Sequence, residues 1–278
     1  MCNSPHFVVF AWLLLMVFGP LAKADTTNRP VFAFDEYLLA PLRIHLLSAT
    51  NAPAVQTTLT ESDMARILKK INAVWSQAGI CFWLESLVRE EAVHQEIGSL
   101  LGKPNDLSLM LKLRPETTMA TNLFHLYYIK DFSANGVYLG AAMFVKDTAT
   151  LRAVPGGIDE PLPRVSSHEI GHALSLQHHT NELHLLARGT TGTNLDAAEI
   201  RQARAAAEKF PWIESAPSVL KRADDFQRAG KLDNARHLYQ MLAPIPLEVP
   251  LLRRAQERAT SLPTTPTTQS RPDGSSFR

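Results

Sequence analysis

Apolar residues recur at Met64, Ile67, Leu68, Ile71, Val74, Trp75 and Ala78. Spacing by three and four lays them along one face of a helix. Just upstream, Thr60-x-x-Asp63 has the form of a capping box with Asp in the place usually held by Glu, and Gly79 supplies a C-terminal stop. The pattern therefore predicts a helix over 60–78. Runs rich in β-forming residues predict strands at 41–49, 80–84, 122–132 and 137–145, with room for others before residue 113. Ser133-Ala-Asn-Gly136 is turn chemistry between the last two. Residues 155–163 read as a loop whose final Pro163 suits the first turn of a helix. A helix rich in Ala and Glu is predicted over Asp196–Lys209, before Pro211.

The two ends differ from this middle. Phe7–Phe18 is an apolar run too short to span a membrane comfortably, followed by Gly19-Pro20 and the small-x-small pattern Ala22-Lys23-Ala24. Residues 1–24 thus read as a signal peptide, although no Lys or Arg precedes the apolar run. The main domain is expected over 25–212. Over 213–261, Ala223, Phe226, Ala229-Gly230, Ala235 and Tyr239 resemble one tetratricopeptide-like helical hairpin, expected to dock on the main domain or on a protein partner. Residues 262–278 are rich in Pro, Thr and Ser and are expected to be disordered.

Composition narrows the function. The chain is 278 residues long, 45% hydrophobic and 20% charged, as in a globular protein. Loss of residues 1–24 would remove Lys23 and Cys2, leaving 27 basic against 27 acidic residues and Cys81 alone. A balanced charge gives no reason to expect nucleic acid or a membrane surface as partner. An exported protein, periplasmic or secreted, without an intrachain disulfide must rely on its core or on a metal. Cys81 lies in an apolar run and is expected to be a buried structural thiol.

The chemistry concentrates in His168–His179, HEIGHALSLQHH, which holds four histidines and one glutamate in twelve residues. On a helix, His168 and His172 share a face and can both reach one Zn²⁺. Glu169, at the edge of that face, can take a proton from metal-bound water without being a ligand. His178 lies too far along for the same continuous helix and must return around a turn near Ser175 to become the third ligand, leaving a fourth position for water. Random placement of 10 His among 278 residues, with Glu at its own frequency, predicts about 0.02 such His-Glu-x-x-His motifs, so chance is a weak explanation. Alternatives for the third ligand are His179, Glu182 and Glu199. His179 is otherwise read as a solvated neighbour or as a group that supports a ligand without binding the metal, His125 as an ordinary sheet residue and His184 as an ordinary loop residue.

His168-Glu169-x-x-His172-x-x-Ser175-x-x-His178 resembles the long zinc signature of the metzincin metallopeptidases, and the order of predicted elements over about 40–210 resembles theirs too. The resemblance implies an α+β fold, a twisted mixed sheet with an active-site helix, here carrying a C-terminal helical extension. It implies one catalytic Zn²⁺ on His168, His172 and His178, Glu169 as the general base, and a peptide or protein substrate bound along a rim strand at Val137–Val145. Two positions depart from the family pattern. Ser175 replaces a turn glycine, and no methionine lies between Met143 and Met241, so Leu185 or Leu186 is expected to pack where a methionine would lie beneath the metal. A different class remains open: a binding protein on a degenerate protease fold, its zinc structural or absent, acting through the C-terminal hairpin.

Overall fold

The computed structural model describes residues 31–103, 105–140 and 142–261; the expected signal peptide and the expected tail lie outside the described residues. Among the described residues, six strands and six α-helices follow one another: β1 (Leu38–Ser48), α1 (Glu61–Trp75), β2 (Ile80–Glu91), β3 (Phe124–Ile129), β4 (Gly136–Tyr138), β5 (Met143–Lys146), α2 (Pro161–Ala173), α3 (Ala197–Ala207), β6 (Glu214–Ser215), α4 (Ala216–Arg228), α5 (Leu232–Leu242) and α6 (Pro250–Ser261). Short 3-10 segments between Gln95 and Thr118 occupy the stretch where further strands were expected.

The sheet is mixed, in the order β2-β1-β3-β5-β4. β2, β1, β3 and β5 run parallel, and β4 closes the far rim antiparallel to β5. β6 pairs with Leu38 and Leu39 at the start of β1. Successive strand residues point to opposite faces, so one strand serves two layers. Ala40, Leu42, Ile44 and Leu46 of β1, with Leu126 and Tyr128 of β3, pack against α1, α2 and α3. Leu47, Tyr127 and Phe144 point the other way, under the 3-10 segments. Strands covered on both faces read as nearly continuous apolar runs, which is why their sequence shows little alternation.

α1 forms as its pattern predicts. Thr60 accepts from the Asp63 N–H (3.3 Å) while Asp63 accepts from the Thr60 N–H (2.9 Å), and Met64, Ile67, Leu68, Ile71 and Trp75 are buried. A 3-10 turn, Ser76–Ala78, carries the chain to Gly79 at φ +61. α3 starts one residue later than expected because Asp196 is its cap, bonding the N–H groups of Ala198 and Glu199. α2 starts two residues earlier than expected, at Pro161, and Pro163 still falls in the first turn, where no intrahelical donor is lost.

The single rim strand Val137–Val145 is a hairpin, not one strand. Gly140 takes φ +68, and the Leu139 N–H reaches back to the Ala142 carbonyl (2.9 Å). Only Gly136–Tyr138 lies at the rim, and Met143–Lys146 is an inner strand.

The C-terminal unit holds three helices where the pattern suggested a two-helix hairpin. Val219, Ala223, Ala235, Tyr239, Leu242, Leu252 and Ala255 form a third cluster together with Tyr37, Leu39 and the buried Cys81. Asp224 ties the three helices together, accepting from Tyr239 Oη (2.6 Å) and from Arg258 (2.6 Å). Among the described residues, no helix is long and apolar enough to cross a membrane.

Candidate metal centre

α2 places Arg164, His168 and His172 one turn apart, with Glu169 beside them. It ends in a backbone lock. The Leu176 N–H bonds the Gly171 carbonyl (2.9 Å) and the Ser175 N–H bonds that of His172 (3.0 Å), around Ser175 at φ +68. These are the two bonds of a Schellman motif, in which the left-handed residue is usually glycine. The reversal brings His178 back beneath the helix, as the spacing required.

Three imidazoles meet there. His172 Nε2 lies 3.2 Å from His168 Nε2 and 3.3 Å from His178 Nε2. Nitrogen ligands about 2.1 Å from one tetrahedral cation would be about 3.4 Å apart, so these separations fit a shared metal. The opposite ring nitrogens strengthen the fit. His168 Nδ1 donates to the Leu185 carbonyl (2.9 Å) and His172 Nδ1 to that of Leu176 (2.9 Å), which leaves both Nε2 atoms as bare acceptors facing each other. Two lone pairs so close repel unless a cation lies between them.

The charges around the cluster are ordered by burial. His168 is 7% exposed, and its pKa falls to about 3 through burial and then the nearby Arg164 charge, so the ring stays neutral as a ligand must. Arg164 is 2% exposed, and burial lowers its pKa to about 10, which leaves it cationic at neutral pH. Its guanidinium donates to the carbonyls of Gly192 (3.1 Å) and Ala187, stapling α2 to the loop that supplies the Leu185 carbonyl. Arg164 Nη1 is also 3.0 Å from His168 Nδ1. We assign the Nδ1 proton to the Leu185 bond, because a guanidinium has no lone pair to accept it. Burial raises the Glu169 carboxyl to about 8, opposed by Arg164 and by the Tyr138 N–H. A dication beside it would favour the ionised form.

His178 is exposed, and there Arg188 Nη2 donates to Nδ1 (3.1 Å). That bond puts the ring proton on Nε2, so Arg188 must turn away for His178 to bind a metal. Arg188 is exposed and free to do so.

The histidines and Glu169 open onto a cleft of about 490 Å³, lined also by Gly136, Tyr138, Val165 and Arg188. Gly136 is what allows the rim strand to approach, since a Cβ there would lie 2.6 Å from Glu169 Oε1 and 2.6 Å from Val165. A larger, mostly apolar cavity of about 620 Å³ shares Tyr138 with the cleft and extends past Met143, Ala173, Phe210 and Trp212. Both candidates for the missing methionine are fully buried: Leu185 gives its carbonyl to His168, and Leu186 packs on Gly171.

Other histidines and carboxylates lie elsewhere. Glu182 pairs with Arg152, and Glu199 caps α3 and bonds His184, so neither carboxylate joins the first cluster. His179, half-buried, stacks its ring on that of His184 with the centroids 3.8 Å apart, so His184 has a fixed partner within its loop. His125 is more than a sheet residue, since its Nδ1 meets His45 Nε2 at 2.9 Å in a buried pair whose other end is Glu90. Nothing in the local sequence announced Arg188, and Gly136 read only as part of a turn. Arg164 left a trace, four residues before His168 on the same helical face.

No protein-family model matches the chain. No curated protein matches it either. Among solved structures, it is similar to metalloproteinase-II from Bacteroides fragilis, at 12% identity and a TM-score of 0.38, over 60% of this chain. The match spans about half of that structure, 53% of its length.

Proposed function

We propose that the chain is an exported zinc-dependent endopeptidase of metzincin type. One observation carries the reading: three imidazole nitrogens converge beside a buried carboxylate, in a cleft rimmed by an antiparallel edge strand. His168, His172 and His178 would hold the ion. Zinc, when bound, supplies a Lewis acid that polarises a carbonyl and acidifies water.

The chain's own residues do the rest. β4 offers its free edge to an extended peptide, which pairs through backbone hydrogen bonds. The apolar cavity beyond Tyr138 takes a neighbouring substrate side chain. Glu169, held by the Tyr138 N–H, removes a proton from the attacking water and returns it to the leaving amine. Arg164 adds to the burial that keeps His168 neutral and staples the loop that carries the Leu185 carbonyl.

Glu169→Gln tests the reading. The variant should keep a full equivalent of zinc at the three histidines and lose peptide cleavage on the order of 10²–10⁴-fold, read by product identification against the wild type. Unchanged cleavage would sink the mechanism. The reading also includes export, with residues 1–24 removed, so N-terminal sequencing of the mature protein should begin at Asp25.

A further inference from the structure

A second group of ligating side chains lies on the far side of the loop that carries His178. His179, His184 and Glu199 bring one candidate ligand atom each to within 4.8 Å of one another. The His179 and His184 rings are parallel within 7° at 3.8 Å, and His184 Nδ1 meets Glu199 Oε2 at 3.1 Å. We propose that these three side chains form a second metal site, for Zn²⁺ or a similar borderline divalent cation, independent of the first.

The donor set suits that ion, with two imidazoles and a carboxylate held in a half-buried position. The separation between His184 Nδ1 and Glu199 Oε2 is close to the edge of about 3.4 Å expected in a tetrahedral site. A cation entering there replaces the proton the pair now shares. His179 Nδ1 accepts the Asn181 N–H (2.9 Å), so a cation on this ring either displaces that bond or binds Nε2 in place of its proton. Closing the three atoms from 4.8 Å to about 3.4 Å needs a shift on the order of an ångström, which tilts the His179 ring out of its stack.

The position gives the site a purpose. Between α2 and α3 the chain forms no strand longer than an isolated bridge. A cation on residues 179, 184 and 199 would cross-link this segment to the start of α3. His178 and His179 are adjacent and would serve different ions. The second ion would thereby fix the turn that presents His178 and the Leu185 carbonyl that orients His168.

Zinc counting decides it. The full chain, stripped with chelator and reloaded with zinc, should carry two equivalents by elemental analysis. His179→Gln/His184→Gln should carry one, and His168→Ala/His172→Ala should also carry one. In that last variant zinc should still raise the melting temperature, on the order of a few degrees. Cobalt loaded into the same variant should show the visible bands of a low-symmetry N/O site, a readout that does not require the glutamine variant to fold. One equivalent in the wild type together with none in His168→Ala/His172→Ala would overturn the proposal and leave the first site standing. Two equivalents retained by His179→Gln/His184→Gln would overturn it as well. A single equivalent in the wild type that survives in His168→Ala/His172→Ala would uphold the second site and count against the first.

Discussion

Ser175 holds the left-handed conformation that ends α2, and it does so without glycine's freedom. The cost is about 1–2 kcal/mol for an L-residue. Backbone bonds to Gly171 and His172 hold it there, and Gln202 bonds its carbonyl. Ser175→Gly should therefore stabilise the protein by about 0.5–1 kcal/mol, after the greater chain entropy of glycine in the unfolded state is subtracted. A rise in melting temperature of roughly 1–4 °C, with zinc content unchanged, is the expected result. Gly136 is the opposite case, a position where any side chain collides. Gly136→Ala should displace Glu169 and lower cleavage at least tenfold with little loss of zinc, which kinetics and elemental analysis separate.

At the scale of elements, α1 shows how much short-range physics can decide. Its capping box and apolar stripe lie within residues 60–78, and both formed as the sequence predicts, with Ser76–Ala78 as a closing 3-10 turn. The Asp63 carboxyl is lowered from 3.8 to about 2, first by the Thr60 hydroxyl and then by the Thr60 N–H and Arg66. A folded-state pKa below the unfolded one gives stability that is present above about pH 4 and lost as the pH falls through about 2. Replacing Asp63 by Asn should cost about 1 kcal/mol at neutral pH, and the difference from wild type should vanish near pH 2, as denaturant titrations at several pH values would record. The hairpin β4–β5 was not legible in the same way. VYLGAAMFV is apolar throughout, so its alternation gave no sign of a reversal, and Gly140 alone had to mark it. The rim strand is defined by which neighbour each half pairs with, and that neighbour lies in another part of the chain.

For the whole molecule, the C-terminal helices are part of the core and not an appendage on a linker. They cover Tyr37, Leu39 and Cys81, and burial pushes the Cys81 thiol far up, out of reach of ordinary thiolate chemistry. A chain ending at Ile213 should expose that face, aggregate or unfold more readily, and make Cys81 reactive toward a thiol reagent that leaves the native protein unmodified. The apolar faces of α4, α5 and α6 are taken up by packing within the chain.

By itself the sequence determined what is local: the capped helix α1, the 3.6-residue repeat that sets His168 and His172 on one face, and the need for a turn before His178. These follow from bonds and contacts between residues a few positions apart. Only the tertiary structure decided that Leu185 holds His168, that Arg164 reaches Gly192 and Ala187, that Gly136 admits Glu169, and that Glu199 joins His179 and His184 away from the first cluster. Each of these joins residues between 15 and 33 positions apart. Their meeting depends on how the sheet and the loop between α2 and α3 pack, and no short-range spacing encodes it.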